Sequence, residues 1–206
     1  DLEAWCNIDF GAYDSSPFSR NGYLNYVGGG DLYVNGTKVT TLTIPDGITE
    51  IKHHAFYGFA GITSIDFNQV TSIGDEAFNG CHGLSEVTIP EGVTAIGNVG
   101  FAYCTHLQSI SIPASASSLG TSMLAADNML TDIHVHWTEN IPAWPENFTK
   151  KSPQSSITLH VPCAASDLYH ATDGWNGYNL EAEGGPYTIT VTTDDASMGS
   201  VAITVP

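Results

Sequence analysis

Three histidines and an aspartate have the types and spacing best suited to chemistry. In Asp132-Ile-His134-Val-His136, polar side chains alternate with Ile133 and Val135, the period-two pattern of a strand with one buried face. Asp132, His134 and His136 therefore share the open face. A second alternating segment, Ile157-Thr-Leu-His160-Val-Pro, aligns His160 with His134 when the two strands lie side by side. Imidazoles roughly 5–7 Å apart at Cβ on neighbouring strands can share a zinc or nickel ion, with Asp132 placed to orient one ring. The competing explanation is ordinary: histidines near strand ends are common on surfaces, and the residues between the two strands could cover them.

Other chemistry finds little footing. The sequence has no GxSxG, HExxH, P-loop or GxGxxG pattern, and no reactive pair of nucleophile and base is recognisable in it. Asp75, Glu76 and Glu91 fall at successive turns, where solvation accounts for them. His53, His54, His82 and His106 belong to the loop side. No enzyme activity and no cofactor are expected.

The elements that must position these residues come from an internal repeat. Residues 84–107 read LSEVTIPEGVTAIGNVGFAYCTHL, and related copies start at Leu42, Ile62 and Leu107. Phe56, Phe78, Phe101 and Leu124 recur at spacings of 22, 23 and 23. The columns Ile62, Leu84, Leu107, Leu130 and Ile65, Val87, Ile110, Ile133 keep the same step. A period in the low twenties is the leucine-rich-repeat range. Within one copy, Val87 and Ile89 face inward from a strand that Pro90 ends, since proline has no N–H for a ladder. Glu91-Gly92 turns the chain into a second short extended piece, and residues 97–104 are expected to make one or two helical or 3-10 turns with Phe101 inward. One copy leaves both flat faces bare, so the copies must stack.

The repeat LxxVxIPxGVTxIGxxAFxxCxxL resembles the BspA-like, or Treponema-type, leucine-rich repeats of bacterial cell-surface proteins, over roughly residues 39–180. Departures are Phe59 and Asp127 in the cysteine column of Cys81 and Cys104, and Ser115–Ser118 in place of the Gly-Val-Thr turn. The resemblance implies a right-handed solenoid of short parallel strands, exported to the bacterial surface, with adhesion or protein binding as its role. Such an origin leaves the sequons at Asn35 and Asn147 idle.

In this reading residues 1–40 form an atypical N-terminal repeat or cap, with Trp5, Ile8 and Phe10 closing the core. Asn35-Gly36 makes a β-hairpin turn. Residues 41–156 are the repeats, with an insertion at 137–156. Residues 157–181 resemble the family's C-terminal cap. Residues 181–186 read as a linker, and 187–206 as a hairpin or a truncated β-domain, marginal alone. The chain is expected to be a piece of a longer exported protein, with signal and anchor outside it.

Stacking in register places Ser64, Glu86, Ser109, Asp132 and Thr158 in one outward column, and Thr43, Asp66, Thr88, Ser111, His134 and His160 in the next. These columns are either a ligand-binding face, as solenoids often present, or a solvated sheet whose Thr and Ser suit β structure. Cys81 and Cys104 fall about 5 Å apart in adjacent coils, either as reduced thiols or as a bridge. Only five Lys and Arg stand against 22 Asp and Glu, a formal charge of −17, which argues against nucleic acid or anionic membrane as partner. No apolar run is long enough to insert in a membrane. The expected partner is a protein on a host or bacterial surface. The alternatives are a glycan, held on the same face or by Trp137 and Trp144, and a spacer with no ligand. A monomer is expected.

Overall fold

The computed structural model describes residues 1–12, 15–18, 31–34 and 36–184, together with the backbone of 190–192 and 202–204. At the N-terminus Asp1 accepts a hydrogen bond from the Ala4 N–H and starts helix α1 (Leu2–Cys6). The Trp5 indole donates to the Ala55 carbonyl, and Phe18 stacks on Phe59 at 4.7 Å. Phe10 and Cys6 are buried with them, while Ile8 is 44% exposed and takes no part in the cap it was expected to join. A short antiparallel hairpin follows, β1 (Tyr33–Val34) and β2 (Thr37–Lys38), with Gly36 at φ +79°. Asn35 lies outside the described residues.

Four coils come next, each contributing two short strands. They are β3 (Thr41–Thr43) with β4 (Glu50–Ile51), β5 (Ser64–Asp66) with β6 (Ser72–Ile73), β7 (Glu86–Thr88) with β8 (Ala95–Ile96), and β9 (Ser109–Ile112) with β10 (Ser118–Leu119). The first face continues through β11 (Asp132–Val135), β12 (Thr158–Pro162) and β13 (Asn179–Glu183). β4, β6, β8 and β10 make a second parallel ladder. On the first face β7, β9, β11, β12 and β13 form one parallel sheet and β3–β5 another. No ladder bond joins β5 to β7. Phe67, the one aromatic in the column Ile44, Phe67, Ile89, Ile112, Val135, sits at that joint with its ring edge-on to Phe78 at 5.9 Å.

The third side of each coil is made of turns closed by i→i+3 bonds, such as Asn79 N–H to Glu76 and Ala102 N–H to Val99. Their alternate N–H groups reach the next coil. Glu76, Phe78 and Gly80 donate to Asn98, Gly100 and Ala102, and Val99, Phe101 and Tyr103 donate to Thr121, Met123 and Ala125. That spacing requires left-handed backbone twice per coil, at His54, Glu76, Val99 and Ser122, and again at Gly58, Gly80, Tyr103 and Ala126. Inside, Phe56, Phe78 and Phe101 stack with ring centroids 5.4 and 5.2 Å apart. All three are fully buried.

Residues 137–156 are not an insertion standing off the array. Glu146, Phe148 and Lys150 accept hydrogen bonds from Ser122, Leu124 and Ala126, the same ladder one coil further on. Asn147 and Lys151 repeat the left-handed positions, and buried Phe148 extends the phenylalanine column. The three extra residues between Ile133 and Leu159, against the usual 23, hid this coil. Trp137, 3% exposed, donates to the Ala116 carbonyl. Helix α2 (Ser166–Ala171), Tyr169 and Trp175 then close the end, with Trp144 packed at 5.0 Å from Trp175 and 5.3 Å from Tyr178. Residues 181–183, read from sequence as linker, are the end of β13 and pair in parallel with β12 until Gly184 turns the chain at φ +75°. Beyond it, β14 (Thr190–Thr192) and β15 (Ala202–Thr204) form the expected antiparallel hairpin; its connecting residues are outside those described.

The cysteine column is a line of free thiols. Cys81 donates to the Phe56 carbonyl and Cys104 to that of Phe78, each at 3.3 Å, and burial raises both thiol pKa values. Cys6, also buried, is raised to about 11. Labelling of the native chain at pH 8 is therefore expected to modify exposed Cys163 alone, with the other three thiols reacting only at the rate of unfolding. Fast modification of Cys81 would contradict this packing.

Asp127 occupies the next place in that column, fully buried, and neither carboxylate oxygen makes a hydrogen bond of ordinary geometry among the described residues. Burial pushes its pKa well above the usual carboxylate value, against a weaker pull from the Cys104 backbone N–H. The folded state holds a proton there that the unfolded chain gives up above a pKa of about 3.9. The stability it contributes is intact below that value and falls as pH rises, by up to about tenfold in the folding equilibrium per pH unit. Asp127→Cys, which restores the repeat residue, should raise Tm by roughly 3 °C or more at neutral pH. Its margin over the native chain should widen in melts from pH 5 to pH 8, and an unchanging margin counts against a protonated Asp127.

Candidate functional site

The first face brings the expected columns together. Glu86 lies opposite Ser109, Ser109 opposite Asp132, and Asp132 opposite Thr158. Thr88, Ser111, His134 and His160 align in the second column in the same way. Ser64 and Asp66 continue both columns on the other side of the β5–β7 break, where they pair with Thr41 and Thr43. Side chains on this face alternate with Ile65, Val87, Ile110, Ile133 and Leu159, which point inward, so the core fixes which residues face out.

Two features vary along the face. At the β5–β7 joint a cleft of about 310 Å³ opens, lined by Thr63, Ser64, Ile65, Ser85, Glu86, Val87 and Thr88. Ile65 is only partly buried there, unlike Val87 and Ile110 in its column. Toward the C-terminus the face becomes a cluster of imidazoles and carboxylates. The His134 and His160 rings stack at 4.2 Å with planes 9° apart. The Asp132 carboxylate lies 2.7 Å from His160 Nε2, as the sequence led us to expect of an orienting group. Its pKa is held below the ordinary value, first by the Thr131 hydroxyl and then by His160. His134 Nδ1 is 2.7 Å from Glu183 Oε1.

His136 does not join this cluster. It lies just past the end of β11, and its Nε2 pairs with the Ser111 hydroxyl at 2.9 Å, toward β9 and away from β12. Glu183 takes the third place instead, and donor atoms of His134, His160 and Glu183 lie within 4.8 Å of one another. Sequence reasoning missed Glu183 because its segment was read as linker. The alternation Leu180-Glu-Ala-Glu183 after a capping Trp and Tyr was the available signal for one more strand.

The remaining acids of interest serve the turns. Asp75 accepts from the Asn98 N–H, and Glu91 accepts from the N–H groups of Ala114 and Ser115 in the following coil. Trp137 is interior, and Trp144 is wedged among Phe148, Trp175 and Tyr178. Trp137 thus offers no ring face for sugar stacking, while Trp144 is partly buried and borders a cavity of about 340 Å³ on the turn side, away from the two strand columns.

A stack of short parallel strands around one interior column of phenylalanine and leucine defines a leucine-rich-repeat solenoid. The chain belongs to the BspA type leucine-rich repeat region family, whose repeat matches in six copies over residues 30–150. It is similar in fold to a leucine-rich repeat protein from Bacteroides ovatus, at 22% identity and a TM-score of 0.51, over 61% of this chain and 32% of that one. It thus spans about a third of that protein. A leucine-rich cell surface protein from Faecalibacterium prausnitzii aligns at 17% identity and a TM-score of 0.34, over 71% of this chain and 60% of the other. No curated protein matches the sequence. No described helix is long and apolar enough to cross a membrane.

Proposed function

We propose that this chain is a non-enzymatic binding module of a bacterial surface protein, exported from the cell, whose first strand face holds a protein partner in adhesion. The observation that carries this reading is the in-register array of exposed and half-exposed Ser, Thr, Asp, Glu and His side chains on that face. The break between β5 and β7 adds a cleft of about 310 Å³ on this face, lined by Ser64, Glu86 and Thr88 among others, which a partner side chain can enter. Asp66, Glu86, Asp132, Glu181 and Glu183 all belong to this face. With a chain charge of −17, they favour a partner surface rich in Lys and Arg.

A protein suits the face better than a glycan, because its two outward columns carry no aromatic side chain and the two tryptophans considered for sugars are packed in the end of the array. A ligand-free spacer leaves the acidic column without a role. Surface-plasmon-resonance screening against host matrix proteins and bacterial surface proteins, alongside a glycan array, separates the three. Binding should survive enzymatic deglycosylation of the partner and weaken steeply between 50 and 300 mM salt, conditions chosen to span the screening range. The double substitution Asp66→Lys and Glu86→Lys should slow association by roughly tenfold or more with the melting curve unchanged. Unaltered binding by that variant would sink the face as the site, and capture only by glycans would sink the choice of partner.

A further inference from the structure

We propose that His134, His160 and Glu183 form a site for a zinc-class divalent ion that ties the last strand of the array to the two before it. The argument starts from His160. Its Nε2 faces the Asp132 carboxylate at 2.7 Å. A carboxylate only accepts, so the ring proton sits on Nε2 and Nδ1 of the neutral ring is a bare lone pair. That lone pair faces Glu183 Oε1 at 3.4 Å and Glu181 Oε2 at 4.0 Å. Three acceptors pointed at one another repel unless a cation stands between them. By the same rule His134 carries its proton on Nδ1 and donates to the same Glu183 oxygen at 2.7 Å, so an ion bound in this space displaces that proton.

The arrangement has the parts of a histidine–carboxylate metal site. Two imidazole nitrogens and one carboxylate supply three ligands, and Glu181 or water can complete a tetrahedron. Asp132 holds the far nitrogen of one ligating ring, the usual support for such a histidine. With neutral imidazoles, Asp132, Glu181 and Glu183 bring three negative charges that a divalent ion largely offsets. Donors 2.0–2.2 Å from a common ion stand roughly 3.3 Å apart. His160 Nδ1 already stands 3.4 Å from Glu183 Oε1. The 2.7 Å His134–Glu183 contact lengthens once its proton leaves. The widest donor pair, within 4.8 Å, shortens by tilting the stacked rings about χ2, a soft torsion for histidine. The side chains are 29%, 14% and 40% exposed, so an ion has access from solvent. Because the ligands come from β11, β12 and β13, the ion spans three consecutive coils at the end where the array is capped.

The test uses the full chain, freed of any affinity tag, titrated with zinc chloride by calorimetry at pH 7.5 and with cobalt(II) by visible absorption. One equivalent should bind, with tetrahedral cobalt bands, and Tm should rise by roughly 5–10 °C at a hundredfold excess over Kd. His160→Gln and Glu183→Gln should each lower affinity at least a hundredfold, and Asp132→Asn about 10–100-fold. His136→Gln should leave it unchanged. Each variant is first melted without metal; if His160→Gln does not fold, the more exposed Glu183→Gln carries the comparison. Absence of saturable binding overturns the proposal, as does binding that survives Glu183→Gln or is lost equally in His136→Gln. A proton as the sole occupant, seen as titration of His160 with no zinc-induced change, overturns it too.

Discussion

Everything in this chain depends on backbone N–H groups of one coil finding carbonyls in the next. Strands on the first face, strands on the second and the turns on the third all donate in this manner, so successive repeat coils are joined on up to three sides, the first-face ladder being absent only between β5 and β7 among the described repeats. The constraint is geometric before it is energetic. A position can bond to its counterpart one coil away only if both coils have nearly the same length, and that keeps the period at 22 or 23 residues. It also explains the left-handed residues. An uninterrupted helix would turn its N–H groups back on itself; a left-handed residue every fourth position turns alternate ones outward to the next coil. The cost is visible at Val99, a β-branched residue at φ +57°, which the ladder holds in a region such residues avoid.

Once the coils are locked in register, columns of like residues become unavoidable, and their chemistry is shared. Phenylalanines stack on phenylalanines and thiols sit above thiols. Columns change type at several places, and two of these changes coincide with departures from regularity. Phe67 replaces an aliphatic residue, and the first face opens beside it. Asp127 replaces a cysteine, and a carboxyl group is carried into the core without a partner. Neither substitution breaks the ladder on the turn side, where Phe78 and Leu124 still bond onward. Three-sided attachment thus lets one side vary while the others preserve the stack.

Much of this was legible in the sequence. The phenylalanine step gave the coil, the alternation of Asp132-Ile-His134-Val gave the face, and the pairing of His134 with His160 followed from the two. What escaped has physical causes. Left-handed backbone at Glu76 or Tyr103 leaves no compositional mark, because only Gly58 and Gly80 announce it. The fifth coil escaped because Phe148 falls 24 residues after Leu124, one out of step, and two further added residues precede Leu159. Its identity emerges from hydrogen bonds to Ser122, Leu124 and Ala126, which no spacing reveals. Ile8 was apolar and near the open end, yet Phe18 filled that place instead. His136 was placed by strand parity alone; β11 ends at Val135, and a residue past a strand end is free to turn toward Ser111.

The same logic bears on why imidazoles and carboxylates gather where the array stops. A final strand exposes an edge that invites pairing with other chains, and charged side chains along that edge discourage it. β13 carries Glu181 and Glu183 in just this setting, followed at once by Gly184. Among the described residues no further strand pairs with β13, and the Glu183 carboxylate turns back across the face toward His160 and His134. In the middle of the array, Ser111 occupies the position that His134, His160 and Glu181 take further on, and it needs no charge to balance it. The polar cluster is therefore tied to the end of the stack: it arises where register still dictates which side chains meet, but repetition no longer supplies identical neighbours.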